Sequence, residues 1–145
     1  MGVNEILDKH AQKRMVESIA KAEKNTSGEI RIHIESVCKG DPCERAAHVF
    51  NKLGMCNTRL HNGVLIYVAY RTRSLSIIGD SGINEKVGTD FWNDARDCMV
   101  SCFANGEFEK GLTDAVGMVG EKLKTFFPYS KNDVNELSDE ISFGE

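Results

Sequence analysis

The sequence lacks the features that mark exported, membrane-spanning and redox-active proteins. Its first residues show no basic start followed by an apolar stretch, so we expect no secretory signal. The longest apolar run, at 64–69, is far shorter than the roughly 20 residues that cross a bilayer. The 5 cysteines include no Cys-x-x-Cys pair, which gives no support for a structural zinc or thioredoxin-type site. These absences predict a cytoplasmic protein with no membrane span and with reduced cysteines.

The sequence also lacks a concentrated run of basic residues. It has 18 Lys and Arg against 22 Asp and Glu, a formal net charge of −4, and its basic residues are scattered. Nucleic-acid binders focus their basic residues on one face, so we expect no nucleic-acid partner. The length of 145 residues, with 41% hydrophobic and 28% charged residues, fits one globular domain that buries its own core.

Hydrophobic periodicity predicts alternating helices and strands. The predicted elements are helices over about 4–24, 42–53, 89–104 and 108–126, and strands over 29–35, 64–70 and 74–78. The first two strands, joined through a helix, should lie parallel with a right-handed crossover. The third strand should pair antiparallel with the second across a tight turn. The expected fold is α/β, with a mixed sheet and helices on both faces.

Oxygen-bearing side chains collect at one end of the predicted hairpin. Pairing centred on Thr72 would place Asp80 opposite Val64 and beside Asn62. The following helix is expected to begin at Thr89. Its predicted polar face then carries a row of carboxylates: Asp90, Asp94 and Asp97.

Carboxylate and amide oxygens are the ligands that calcium prefers, and magnesium and manganese accept the same chemistry. We therefore predict a metal site with Asn62, Asp80, Asp90 and Asp94 as its ligands. No EF-hand loop is present, so separate loops must supply the ligands. Each aspartate also has a simpler interpretation: a solvated helix face, an acid near a helix N-terminus, or for Asp80 an Asx turn.

The other reactive side chains give weaker signals. His61 is the strongest histidine candidate because Asn62 and Asp80 should lie nearby, although an ordinary surface role is more typical. Cys98 and Cys102 share a helix face and are interpreted as small core residues. No nucleophile elbow, phosphate-binding loop or cysteine phosphatase loop occurs. Catalytic residues therefore stay unassigned.

Several segments occur in an order that resembles the TPM-domain family. They are Gly28-Glu29-Ile30, Ala47-His48-Val49-Phe50, Leu53-Gly54-Met55, the Asn62-Gly63-Val64-Leu65 strand start, Ile78-Gly79-Asp80-Ser81-Gly82, Phe91-Trp92 and Gly111-Leu112. The resemblance spans roughly residues 5–127. The family includes membrane-anchored and soluble bacterial proteins, and thylakoid-lumen proteins linked to photosystem II repair; the chain resembles its soluble bacterial members. It implies a single Rossmann-like α/β/α sandwich, calcium binding in some members and a proposed acid phosphatase activity in others.

Residues 1–129 are accordingly predicted to form a TPM-like α/β domain, followed by an acidic tail over 130–145. Val134, Leu137 and Ile141 have helical spacing, so part of this tail is expected to dock on the domain. The function favoured by the sequence is a divalent-cation-binding module, with calcium as the ligand, involved in protein interaction or assembly. The alternatives are a metal-assisted acid phosphatase acting on phosphomonoesters, with Asp80 as nucleophile or ligand, and a plain interaction domain. Catalysis ranks below binding because no residues fill every catalytic role.

Overall fold

The computed structural model describes residues 6–88, 90–129 and 139–144. In this part of the chain four strands form one sheet in the order β3-β2-β1-β4. The strands are β1 (Glu29–Glu35), β2 (Gly63–Ala69), β3 (Ser74–Gly79) and β4 (Ser142–Phe143). The helices are α1 (Lys9–Glu23), α2 (Pro42–Lys52), α3 (Ser81–Asn84), α4 (Asn93–Ala104) and α5 (Phe108–Phe126), and a short 3₁₀ turn spans Met55–Asn57.

The sheet is mixed, which confirms the predicted α/β class. β1 and β2 pair in parallel from Glu29 opposite Gly63 to Glu35 opposite Ala69. β2 and β3 pair antiparallel. β4 adds a short parallel pairing at the other edge of β1, with Ser142 beside His33.

Strand β2 is buried along its whole length because helices cover both faces of the sheet. Alternate residues point to opposite sides of a strand. Val64, Ile66 and Val68 therefore join the larger core with residues of α1, α4 and α5. On the other face Leu65, Tyr67 and Ala69 join a smaller core with residues of α2. This arrangement gives the expected three layers.

The hairpin register differs from the prediction by one residue. Val64 lies opposite Gly79, and Asp80 follows the last pair of the ladder. The predicted turn had three residues, whereas the observed connection has four, from Tyr70 to Arg73. The Tyr70 N–H donates to Glu35 O at 3.0 Å, and Arg73, the last residue of the turn, has φ 55°.

The helix boundaries differ from the prediction in two places. The first helix was expected from Asn4, which lies outside the described residues, but α1 begins at Lys9. Asp8 caps it, because its Oδ1 accepts the Ala11 N–H at 2.8 Å. The helix expected from Thr89, which also lies outside the described residues, begins at Asn93.

The C-terminal segment contributes a strand in its described part. Ser142 and Phe143 pair with β1, and the Gly144 N–H donates to Ile34 O at 2.8 Å. Ile141, expected on a helical face, lies directly before this strand. Val134 and Leu137, the other members of that face, lie outside the described residues.

Candidate functional site

The loop before β2 and the turn after β3 meet at one end of the hairpin. The Asp80 N–H donates to Gly63 O at 3.0 Å, and the Gly82 N–H donates to His61 O at 2.9 Å. Gly82 allows this contact, since a Cβ there would lie 2.6 Å from His61 O and still closer to Leu60 O. The structure thus places Asp80 next to the Asn62-Gly63 segment. We call Thr58, His61, Asn62 and Asp80 the hairpin-base site.

Three polar atoms of the hairpin-base site are buried without a hydrogen-bond partner in the described residues. They are Thr58 Oγ1, Asn62 Nδ2 and Asp80 Oδ2. Thr58 and Asn62 are each only 2% exposed. Native proteins pair nearly all buried polar atoms, and an unpaired one costs about 1–3 kcal/mol. A buried polar atom without a hydrogen bond is typical of a position where a water or an ion supplies the missing contact.

The two oxygens of the Asp80 carboxylate make different contacts. Oδ1 accepts the Ser81 N–H at 2.7 Å, so the side chain caps the short helix α3, which the sequence analysis did not predict. Oδ2 lies 3.4 Å from His61 Nδ1 without forming a hydrogen bond. Oδ1 therefore bonds the backbone of the next residue, and Oδ2 has no hydrogen bond in the described residues.

The other two predicted ligands lie on either side of the start of α4. Asp90 precedes α4, so the expectation that it shares a helical face with Asp94 is wrong. Asp94 forms an ion pair with Lys122 of α5 at 3.2 Å. Among the described residues, no cluster of three acidic, histidine or cysteine ligand atoms within 4.8 Å of one another includes either aspartate. Their assignment as metal ligands stays a prediction.

A second polar network, whose hydrogen bonds the sequence did not predict, lies at the opposite end of the sheet. Glu35 accepts two hydrogen bonds from Arg45, at 2.9 and 2.8 Å, and another from the Tyr67 hydroxyl. His33 Nε2 lies 3.3 Å from Glu35 Oε1, and His33 Nδ1 lies 3.0 Å from Ser142 Oγ. Its only sequence signal was the pair of polar residues alternating with isoleucine along β1.

Within this network Glu35 and Arg45 form an ion pair, and His33 and Tyr67 are neutral. Burial raises the pKa of Glu35, but the hydrogen bonds from Arg45, Tyr67 and His33 outweigh it and hold that pKa at about 2. Burial lowers the pKa of His33 and raises that of Tyr67. A cavity of ≈ 460 Å³ adjoins Glu35 and Arg45. Since Glu35 already accepts several hydrogen bonds, the network is suited to holding strands and helix together.

The described residues contain no helix that is both long and apolar enough to span a membrane.

Comparison with known proteins identifies relatives of the whole chain. The family model for the TPM domain matches residues 3–122. The NMR structure of the BA42 protein from the psychrophilic bacterium Bizionia argentinensis is similar, with 44% identity, 99% of each chain covered and a TM-score of 0.91. No curated protein matches the chain.

Two more distant structures share the fold alone. An N-terminal domain from P. gingivalis is 17% identical, with 84% of this chain and 79% of that chain covered and a TM-score of 0.69. The N-terminal domain of the cg2496 protein from Corynebacterium glutamicum is 13% identical, with 79% and 70% covered and a TM-score of 0.55.

Proposed function

This chain belongs to the TPM domain family, and from that premise we propose that it is a divalent-cation-binding module, with calcium as the ligand, that serves in protein interaction or assembly. The observation that carries the proposal is the set of buried atoms without a hydrogen bond in the hairpin-base site. The site is held by backbone hydrogen bonds between two loops, so its ligands are positioned before a cation arrives.

The donors of the hairpin-base site fit a hard cation. Asp80 Oδ2 would supply the charge and Thr58 Oγ1 a neutral oxygen. The side-chain amide of Asn62 can present either its nitrogen or its oxygen in the same position, so it can supply a third. Calcium takes six to eight oxygen ligands in flexible geometry, with water filling positions that the protein leaves open. No thiol belongs to this site, which disfavours a soft metal.

The test is calorimetric titration of the wild type and of Asp80→Asn with calcium. Asparagine keeps the helix cap but removes the charge, so the fold should survive while calcium affinity falls at least about tenfold. Asp97→Asn is the matched control, since Asp97 is 74% exposed on α4 and pairs loosely with Arg96 at 3.9 Å. Calcium at 100 times its dissociation constant should stabilise the wild type by about 2.7 kcal/mol.

Equal calcium affinities for wild type and Asp80→Asn would show that the hairpin-base site does not bind calcium. A complete lack of calcium binding would disprove the proposed calcium-binding function.

Parallel titrations with magnesium and manganese establish the preferred cation. Asp90→Asn and Asp94→Asn test the remaining predicted ligands. Hydrolysis of p-nitrophenyl phosphate that is lost in a folded Asp80→Ala variant would favour the phosphatase alternative.

The interaction half of the proposal is supported by Leu60, which lies in the loop of the hairpin-base site and is 43% exposed. A cation held by the same loop would fix the position of this apolar side chain. In sedimentation velocity we expect calcium to increase self-association of the wild type and to have less effect on Leu60→Ser. If calcium changes the self-association of the two proteins equally, Leu60 does not link cation binding to assembly.

A further inference from the structure

Helices α4 and α5 approach each other closely near Cys102. They are joined by residues 105–107, where Gly106 has φ 76° and turns the chain back. At Gly111 of α5, an added Cβ would lie 3.0 Å from Cys102 Cβ and 2.7 Å from Phe103 Cε1. The missing side chain at Gly111 therefore lets α5 pack directly against the cysteine-bearing face of α4.

This packing assembles three potential metal ligands. Cys98 and Cys102 are one helical turn apart and so lie on one face of α4. Asp114 lies three residues after Gly111, on the neighbouring turn of α5. The two sulfur atoms and one carboxylate oxygen all lie within 4.8 Å of one another. Within the described residues this is the one such cluster.

We propose that Cys98, Cys102 and Asp114 form a site for a zinc-type divalent cation, with water completing the coordination. Thiolate and carboxylate are both established zinc ligands, and a three-ligand site leaves an open position. A tetrahedral site with Zn–S bonds of about 2.3 Å separates its sulfur atoms by about 3.8 Å, which is compatible with sulfur atoms that lie within 4.8 Å of each other. Calcium is excluded from this site because thiolates suit soft and borderline metals.

The residues around the three ligands give a cation access from solvent and orient the Asp114 carboxylate. Cys98 and Asp114 line a surface cavity of ≈ 680 Å³, which gives a cation a path from solvent. Asp114 Oδ2 is paired with Lys110 Nζ at 2.7 Å. A carboxylate has a second oxygen, so this contact can orient the group while leaving a lone pair for the metal.

Charge balance makes binding pH dependent. Burial, followed by the proximity of Cys102 and Asp114, raises the pKa of the Cys98 thiol. Thiol ligands must lose their protons to bind a metal. Coordination by both sulfur atoms releases two protons to solvent and forms two metal–sulfur bonds without any redox change. Affinity should consequently rise with pH across the neutral range.

The decisive experiment uses reduced full-length protein with a non-thiol reductant present. Titration with Co²⁺ should give one equivalent of a tetrahedral thiolate spectrum, and Zn²⁺ should bleach it. Competition with a chelating dye then gives the Zn²⁺ affinity. Cys98→Ser and Asp114→Asn are each expected to weaken Zn²⁺ binding at least about tenfold. Cys56→Ser is the matched control, because Cys56 is exposed and its sulfur donates to the neighbouring Asn57 at 3.8 Å.

Three outcomes would overturn the proposal. The first is no Zn²⁺ binding by protein whose 5 thiols are all reactive with a thiol reagent after unfolding. The second is equal Zn²⁺ affinity in wild type and Cys98→Ser. The third is an unchanged affinity in Asp114→Asn, which would remove the carboxylate from the site. Circular dichroism of each variant establishes folding. Asp80→Asn should bind Zn²⁺ as the wild type does, which separates this site from the proposed calcium site.

Discussion

Glu35 connects three elements through one carboxylate. It ends β1 and accepts hydrogen bonds from Arg45 of α2 and Tyr67 of β2. Because its pKa is held at about 2, below the ordinary value of 4.5, the folded protein binds fewer protons than the unfolded chain between these values. Its contribution to stability is therefore present above about pH 4.5 and is lost as the pH falls towards 2.

The Glu35→Gln variant tests this contribution. A neutral amide accepts weaker hydrogen bonds from Arg45, so we expect it to cost about 1–3 kcal/mol near neutral pH. The difference from the wild type should shrink in acid. Urea denaturation at a series of pH values measures both effects, with Glu44→Gln as the control because Glu44 is exposed beside the same cavity. A difference that stays constant with pH would assign the loss to packing.

Gly82 is predicted to control the shape of the hairpin-base site. Gly82→Ala would force its Cβ against the carbonyl oxygens of Leu60 and His61, which are backbone atoms that cannot rotate away. We expect a loss of about 1–3 kcal/mol in stability and a matching loss of calcium affinity. Gly88→Ala is the control, since nothing lies within 4 Å of a Cβ there. Equal thermal midpoints for the two variants would contradict the prediction.

At the scale of residues, the sequence predicts which side chains lie close together better than it predicts which side chains are buried. Asp80 and Asn62 could be placed together because a hairpin brings its two ends into contact, even with a register error of one residue. His33 and Glu35 could not be recognised as buried. Alternation along a strand separates two faces, but it does not say which element covers each face.

At the scale of elements, the C-terminal segment is attached to the domain at two points. Gly144 bonds Ile34 of β1, and Asp139 shares a hydrogen bond with Glu23 at the end of α1. Burial, the bond to Asp139 and nearby charge raise the pKa of Glu23 to about 9, although its bond from the Ile30 N–H opposes this. Glu23 is therefore protonated near neutral pH and can donate to the Asp139 carboxylate.

This pair predicts that docking of the C-terminal segment weakens in alkali. The folded state binds more protons than the unfolded state between about pH 4.5 and 9, so stability falls as the pH rises through that window. In Glu23→Gln the amide donates at every pH, so docking should become insensitive to pH. Hydrogen exchange of the Gly144 amide measures docking. Glu17→Gln, on the exposed side of α1, is the control and should behave as the wild type.

The elements differ in how far local sequence determines them. β1 and α5 match the expected ranges because their periodicity is uninterrupted and their flanking residues are strong breakers. The hairpin turn and the start of α4 were predicted wrongly. The connection has one residue more than expected, and Trp92, directly before α4, makes no side-chain capping hydrogen bond. A helix start without such a cap lacks the sequence signal that Asp8 gives to α1.

At the scale of the molecule, β2 contributes to both cores, which are covered by α1, α2, α4 and α5. The end of α5 contacts the loop before β1, because the Phe127 carbonyl accepts hydrogen bonds from the Thr26 hydroxyl and from the Ser27 N–H at 2.9 Å. The family model ends at residue 122, whereas similarity to BA42 covers 99% of the chain. These observations predict an autonomous domain over residues 1–129, to which the C-terminal segment adds a short strand.

A protein truncated after Tyr129 tests that prediction. It should keep the circular dichroism spectrum of the sheet and helices, because among the described C-terminal residues only Ile141 packs against a core, and it is only partly buried. It should lose about 1–3 kcal/mol of stability, since Ile34 O and the His33 ring lose their partners in the C-terminal segment. Amide exchange should quicken along β1, while calcium affinity should not change because the hairpin-base site lies at the opposite end of the sheet. An unfolded truncated protein would show instead that the C-terminal segment belongs to the domain, and a loss of calcium binding with the fold intact would couple the two ends of the sheet.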